Sequence, residues 1–200
     1  MIRPLSNGRV LMVMILTIVT SSCWIPENFD AVITINKDGS YTFAYNGTIT
    51  FAPALAAAKE GELSPNDERD IQQEAAPIRQ EPGFKRVDYE GKGRFRVVVE
   101  RSLRAGEPFY FISKDSQFFA VVPHPDHTIT VSPIRPSADD LQQLNSIGAK
   151  MDGTLSVSVA SSVTVLKQNA DTQPYFFGLF GAYKWQIKSP AASPMIVVQL

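Results

Sequence analysis

The stretch SYTFAYNGTITF, residues 40–51, decides the fold class. Tyr41, Phe43, Tyr45, Ile49 and Phe51 fall on odd positions, and Thr42, Asn46, Thr48 and Thr50 on even ones. Successive side chains of a strand point to opposite faces, so this alternation means one buried face and one wet face. Gly47 interrupts the apolar set and marks a bulge or bend. Just upstream, DAVITIN (30–36) reads as a strand, closed by the turn residues Lys37, Asp38 and Gly39.

Downstream the period changes. PALAAAK (53–59) is helix-prone, and Gly61 can end it. SPNDERDIQQEAAPIRQ (64–80) restarts a helix. Ser64 suits the N-cap, Pro65 the first helical position, and Asp67 and Glu68 the positive end of the dipole. Ile71, Ala75 and Ile78 make an apolar stripe, and Pro77 predicts a kink or an early stop. FKRVDYEG and GRFRVVVER then flank Lys92 as a hairpin, with Phe95, Val97 and Val99 on one face. PFYFIS and QFFAVV flank residues 114–116 as a second hairpin, and HTITVS adds a strand. Ser137 caps ADDLQQLNSIG, where Leu141 and Leu144 mark a short amphipathic helix and Gly148 its end. GTLSVSVA, SVTVLKQ, AYKWQIK and PMIVVQL close the chain as strands. The order of elements predicts an α+β domain with a mostly antiparallel sheet.

The first residues read differently. Arg3 and Arg9 make a positive start, and VLMVMILTIV (10–19) an apolar run. As a helix that run spans roughly 15 Å at about 1.5 Å per residue, against a bilayer core of about 30 Å. The small residues Thr20, Ser21 and Ser22 follow, then Cys23. These parts make a secretory signal peptide over residues 1–22. A cysteine directly after small residues resembles the bacterial lipobox, although Thr20 stands where leucine is usual. The expectation is a lipid-anchored chain beginning at Cys23, with residues 23–29 as a tether and 30–200 as a single domain. The alternative is ordinary cleavage after Ser22, which leaves a free thiol. One acyl chain binds a membrane marginally and two bind it stably. Cys23 is the only cysteine, so no internal disulfide staples the fold.

Cleavage would leave 178 residues, enough for one domain with its own core. Arg3 and Arg9 leave with the signal, so 17 basic and 20 acidic residues remain, net −3. That balance carries no general pull toward nucleic acid.

Few constellations could carry chemistry. His124 and His127, with Asp126 between them in HPDH, could begin a metal site or serve a hydrolase. Prolines on both sides of His124 favour a solvated loop instead. No serine sits in a G-x-S-x-G elbow, and Gly91 and Gly93 flank a hairpin turn with no phosphate loop. The expectation is no catalysis, no metal and no cofactor. Residues 85–104 are locally basic, with Arg94 and Arg96 on the even face of their strand. Either that face is simply solvated, or it meets anionic headgroups. In PYFFGLFGAYKW (174–185), Phe176, Phe177, Leu179 and Phe180 sit among glycines. Such a cluster packs inward, meets a membrane, or lines a ligand cavity.

Taken together, Cys23, DGSYTFAYNGTITF, the central helical stretch, VDYEGKGRFRVVVER and the late pair SVTVLKQNADTQPY and YKWQIK resemble the LppM-type bacterial lipoprotein domain. The resemblance covers most of the chain after Cys23. It implies a helix-grip-like fold, a mostly antiparallel curved β-sheet with one or two helices packed on it around an apolar cavity. It also implies an exported, lipid-anchored protein of the bacterial cell membrane or outer membrane that binds lipid or glycolipid. Tyr41, Phe43, Tyr45, Phe95, Val97 and Val99 would then line a core or cavity. Such proteins carry a C-terminal transmembrane helix, whereas PMIVVQL here is one strand long. The alternative partner is another envelope protein, bound without any small ligand.

Overall fold

The computed structural model describes residues 24–112, 118–133, 137–175 and 181–200, the side chain of Asp140 excepted. The leader, Cys23, and Phe176, Phe177, Leu179 and Phe180 lie outside the described residues.

The fold is α+β with two mostly antiparallel sheets. Strands β1 (Trp24–Ile35) and β2 (Tyr41–Phe51) lead into helices α1 (Ala52–Glu60), α2 (Pro65–Glu74) and α3 (Ala76–Gln80). The hairpin β3 (Phe84–Gly91) and β4 (Arg94–Leu103) follows, then β5 (Phe109–Tyr110), β6 (Ala120–Pro123) and β7 (Thr128–Ser132). Helix α4 (Ala138–Ser146) precedes β8 (Gly153–Val159), β9 (Thr164–Gln168), β10 (Tyr183–Ile187) and β11 (Ile196–Gln199). The six-stranded sheet runs β10-β8-β1-β2-β4-β3, and the five-stranded sheet β5-β6-β7-β11-β9. Only β1 and β8 pair in parallel among the described strands. The single sheet expected from sequence is thus split in two.

The odd face of β2 is the inner face, as its alternation requires. Tyr41, Phe43, Tyr45 and Ile49 are buried, in register with Leu103, Arg101, Val99 and Phe95 of β4. Aromatic rings from the second sheet's first hairpin meet them. Phe43 lies 4.7 Å from Phe109 and 5.2 Å from Phe111, and Tyr45 lies 4.5 Å from Phe111. Phe29 bridges Tyr45 at 5.7 Å and Phe119 at 5.4 Å. Tyr41, Phe43, Tyr45, Phe95, Val97 and Val99 are all buried core, and the rings of Phe43, Tyr45 and Phe95 each pack against other aromatic rings.

On the even face the alternation fails at one end. Thr48 and Thr50, expected wet, are buried. Thr48 lies between Glu27 and Arg96 across the ladder, and Thr50 between Ile25 and Arg94. Long neighbours can cover a short threonine with their stems.

Gly47 does mark an irregularity, but the bulge lies in the facing strand. The β1–β2 register shifts between Glu27 and Asp30, and Asn28 takes φ +45°. A Cβ on Gly47 would stand 2.5 Å from the Cβ of Phe29, and one on Gly153 would stand 2.3 Å from the carbonyl oxygen of Phe29. Two glycines on the strands either side thus make room for one phenylalanine.

The tether expected at 23–29 is strand from Trp24 onward. Trp24 pairs with Phe51 and Pro26 with Ile49, and both are buried. β8 begins opposite Phe29, so among the described strands β1 has no second neighbour at Pro26, and a missing N–H costs no ladder bond there. The helical stretch 64–80 is two helices, broken at Ala75 just before Pro77. Ile71, Ala75 and Ile78 are all buried, so the apolar stripe survives the break. Ser64 caps α2 in a reciprocal box with Asp67.

Three exposed carboxyls are held below the usual range by hydroxyl and amide donors two or three residues away. Ser40 does this for Asp38, Ser64 for Asp67 and Thr128 for Asp126. A carboxyl whose folded pKa is depressed stabilises the fold above its unfolded value and loses that contribution as pH falls through the folded value. The melting temperature should therefore stay level from neutral pH to about pH 4, the usual carboxyl range, and fall below it. Ser64→Ala should make that fall shallower in a pH series of thermal melts.

Candidate functional site

Three places named from the sequence can be located. The first is the basic even face. Arg94 Nε donates to Glu27 Oε2 at 3.1 Å, and Arg96 donates to Asn46 Oδ1 at 2.9 Å. The Glu27 side chain is only 9% exposed, so Arg94 answers a carboxylate inside the protein. The other Glu27 oxygen and the Thr50 hydroxyl are buried without a hydrogen-bond partner among the described residues. Removing the arginine would leave a nearly buried carboxylate unpaired. Arg94→Ala should therefore cost about 1–3 kcal/mol in urea unfolding, with part of the loss spared because Arg94 is itself partly in solvent. If Arg94 served headgroups instead, vesicle binding would fall and stability would hold.

The second is HPDH, the tight connection between β6 and β7. His124 N–H donates to Thr128 O, His127 N–H donates to His124 O, and His127 has φ +62°. Asp126 Oδ1 accepts from both the amide and the hydroxyl of Thr128, and His124 Nε2 lies 3.0 Å from Thr130 Oγ1. The carboxylate and one imidazole thus serve the hairpin. Among the described residues no group of three or more potential metal ligands gathers.

The third is the region around PYFFGLFGAYKW. Its described flanks, Pro174 and Gly181, reach a pocket shared with Val159, Ala160, Ser161, Val163, Val165 and Tyr183, of about 250 Å³. The pocket forms where the β8–β9 turn meets the approach to β10. Ala160 N–H donates to Ile35 O, and Val163 N–H donates to Ala160 O, so the turn is fastened to the far end of β1. An open depression against Asn36, Lys37, Asp38 and Ser40 adjoins it through Ala160 and Ser161. The segment leading in from β9 is pinned by Asn169, whose Oδ1 accepts from Trp185 Nε1 and Met195 N, each at 2.8 Å. Thr172 bridges Lys184, and Asp171 accepts from Gln186 N.

Two large apolar side chains stand in solvent at this end. Tyr175 is 67% exposed and Leu166 56% exposed. The β9–β11 register skips Leu166, between Val165 opposite Val198 and Lys167 opposite Val197. Leu166 is thus the extra residue of a bulge on an edge strand, which turns it outward. Phe176, Phe177, Leu179 and Phe180 follow Tyr175 directly in sequence. The residues from Val159 to Val165 were legible only as strands and a turn. Three separate pieces of the stretch 159–183 make the pocket, and no local period marks their meeting.

No protein family matches the chain, and no curated protein matches it. Among solved structures, the chain is similar to the folded domain of the LppM protein of Mycobacterium tuberculosis, determined by NMR. Identity is 13%, 89% of each chain is covered, and the TM-score is 0.38. It is also similar to an M1 zinc metallopeptidase from Deinococcus radiodurans, with 12% identity, 88% of this chain covered and a TM-score of 0.33. A mutant of that enzyme bound to a Tyr-Ser-Ala substrate gives 13% identity, 87% coverage and a TM-score of 0.31. Both likenesses span 42% of the metallopeptidase chain.

Proposed function

We propose that this chain is an exported domain, held to a bacterial membrane by lipid on Cys23, that works by binding and makes or breaks no bond. Its ligand is a lipid or glycolipid, taken at the end of the molecule formed by Val159, Val163, Val165, Tyr183, Leu166 and Tyr175. The observation that carries this reading is the exposure of Tyr175 and Leu166 beside a pocket, immediately before a run of further aromatic residues. Large apolar groups gathered in water favour an apolar occupant. The packed ring interior supports binding at this end over a lipid enclosed between the sheets.

A second reading has its own support. Pockets for small ligands usually run from about 300 to 1,000 Å³, and this one is smaller. A side chain from an envelope protein partner would fit such a volume.

The test is the lipid content of the chain purified from bacterial membranes, measured by mass spectrometry of an organic extract. Tyr175→Asp and Val165→Glu should each lower the co-purified lipid several-fold. The Tyr175→Asp melting temperature should stay near that of the native chain, since the ring makes little core. Equal lipid in the native and variant chains would refute the site. A native chain free of lipid would refute the ligand and leave the protein partner.

A further inference from the structure

We infer that α1 is the face by which the domain rests on the bilayer carrying Cys23. The inference depends on the anchoring reading above and goes beyond it, because it sets the domain's orientation. Trp24 already belongs to the sheet. It pairs with Phe51, and its ring lies 5.1 Å from Phe51 and 5.3 Å from Phe95. Cys23 is the next residue in the chain, and consecutive Cα atoms across an ordinary trans peptide stand about 3.8 Å apart. A lipid on Cys23 therefore has no slack chain between it and the folded body, and the bilayer must lie against this end of the sheet.

The surface waiting there is unusual for a helix in water. α1 starts at Ala52, the residue after the ladder partner of Trp24. Its first seven residues, Ala52 to Ala58, carry no charge and no polar side chain. Only Ala52 and Ala54 are buried, with Ala54 pressed against Gly93 at the tip of the β3–β4 hairpin. Pro53 and Ala57 are exposed, and Leu55, Ala56 and Ala58 are half-exposed. A water-facing helix normally puts polar residues outward, as α2 does with Asn66, Asp67, Arg69 and Asp70. Formal charge around α1 is mixed, with Lys59 and Lys92 against Glu60, Glu62 and Glu90. Contact is therefore made through apolar surface at the headgroup boundary, not by attraction to anionic lipid.

The orientation has a consequence for the binding end. The eleven steps from Trp24 to Ile35 span roughly 36 Å at about 3.3 Å each. The pocket sits at the Ile35 end, through Ala160 and Val163. The pocket end thus faces away from the bilayer that holds the anchor, and its ligand arrives from the other side.

The test uses the full chain in bacterial membranes. With Cys23 lipidated, a single introduced cysteine is the only free thiol. Nitroxide labels on Ala57→Cys, Asn66→Cys and Ser162→Cys are compared for collision with oxygen and with a water-soluble nickel chelate. The Ala57 label should favour oxygen over nickel several-fold more than the Ser162 label, with Asn66 exposed to nickel. Equal nickel access at Ala57 and Ser162 in a membrane-bound chain would overturn the orientation and leave the anchor standing. A chain that washes off the membrane with a free Cys23 thiol would overturn both.

Discussion

Phe43→Ala is expected to cost about 3–5 kcal/mol, the usual range for emptying a large aromatic site. Phe43 is 1% exposed and contacts Phe109, Phe111 and Phe119 together. Those three rings come from the segment that brings the second sheet onto the first. Truncation thus leaves a cavity at the joint and not within one layer. For a domain of this size the melting temperature should fall on the order of 6–20 °C. Phe43→Leu should recover most of the loss, because it refills the volume. If Phe43 instead lined a ligand cavity, alanine there would barely change the melt and would alter ligand uptake.

Gly153→Ala is expected to cost about 3 kcal/mol, at the upper end for overpacking. The added methyl would meet the Phe29 carbonyl oxygen at 2.3 Å and the Phe29 ring at 2.6 Å. A backbone oxygen cannot swing aside as a side chain can. The residue also holds φ +158°, which an L side chain rarely adopts. Gly61 supplies the contrast. It lies at φ 176°, with nothing within 4 Å of an added Cβ. Gly61→Ala should be neutral or stabilise by a few tenths of a kcal/mol, by restricting the unfolded chain. Comparable losses in the two variants would show that the Phe29 clasp is not what Gly153 serves.

How far the sequence could be read depended on whether a feature was local. The alternation in β2 from Tyr41 to Asn46 and the cap at Ser64 involve neighbours in the chain, and both appear in the structure where the pattern puts them. Residues 24–28 read as a tether because proline, here Pro26, usually marks a loop. They sit in a strand because β8 stops short of Pro26 and the bulge at Asn28 absorbs the positive φ. Arg94 and Arg96 were correctly placed on the even face, but the engagement of Arg94 by Glu27 spans 67 residues and leaves no local sign. The pocket was hidden for the same reason. Its walls come from the β8–β9 turn and from both flanks of the aromatic run. The aromatic run itself was visible at once, since four large apolar residues between glycines need no fold to stand out.

In the proposed arrangement Cys23 fixes one end of the sheet to a bilayer while the other end binds. Its most direct test is the intact mass of the chain extracted from bacterial membranes under denaturing conditions. The predicted mass is that of a chain beginning at Cys23, increased by a diacylglyceryl group with its two acyl chains, and the increase should vanish in Cys23→Ala. A chain beginning at Cys23 with an unmodified thiol, recovered from the soluble fraction, would contradict it.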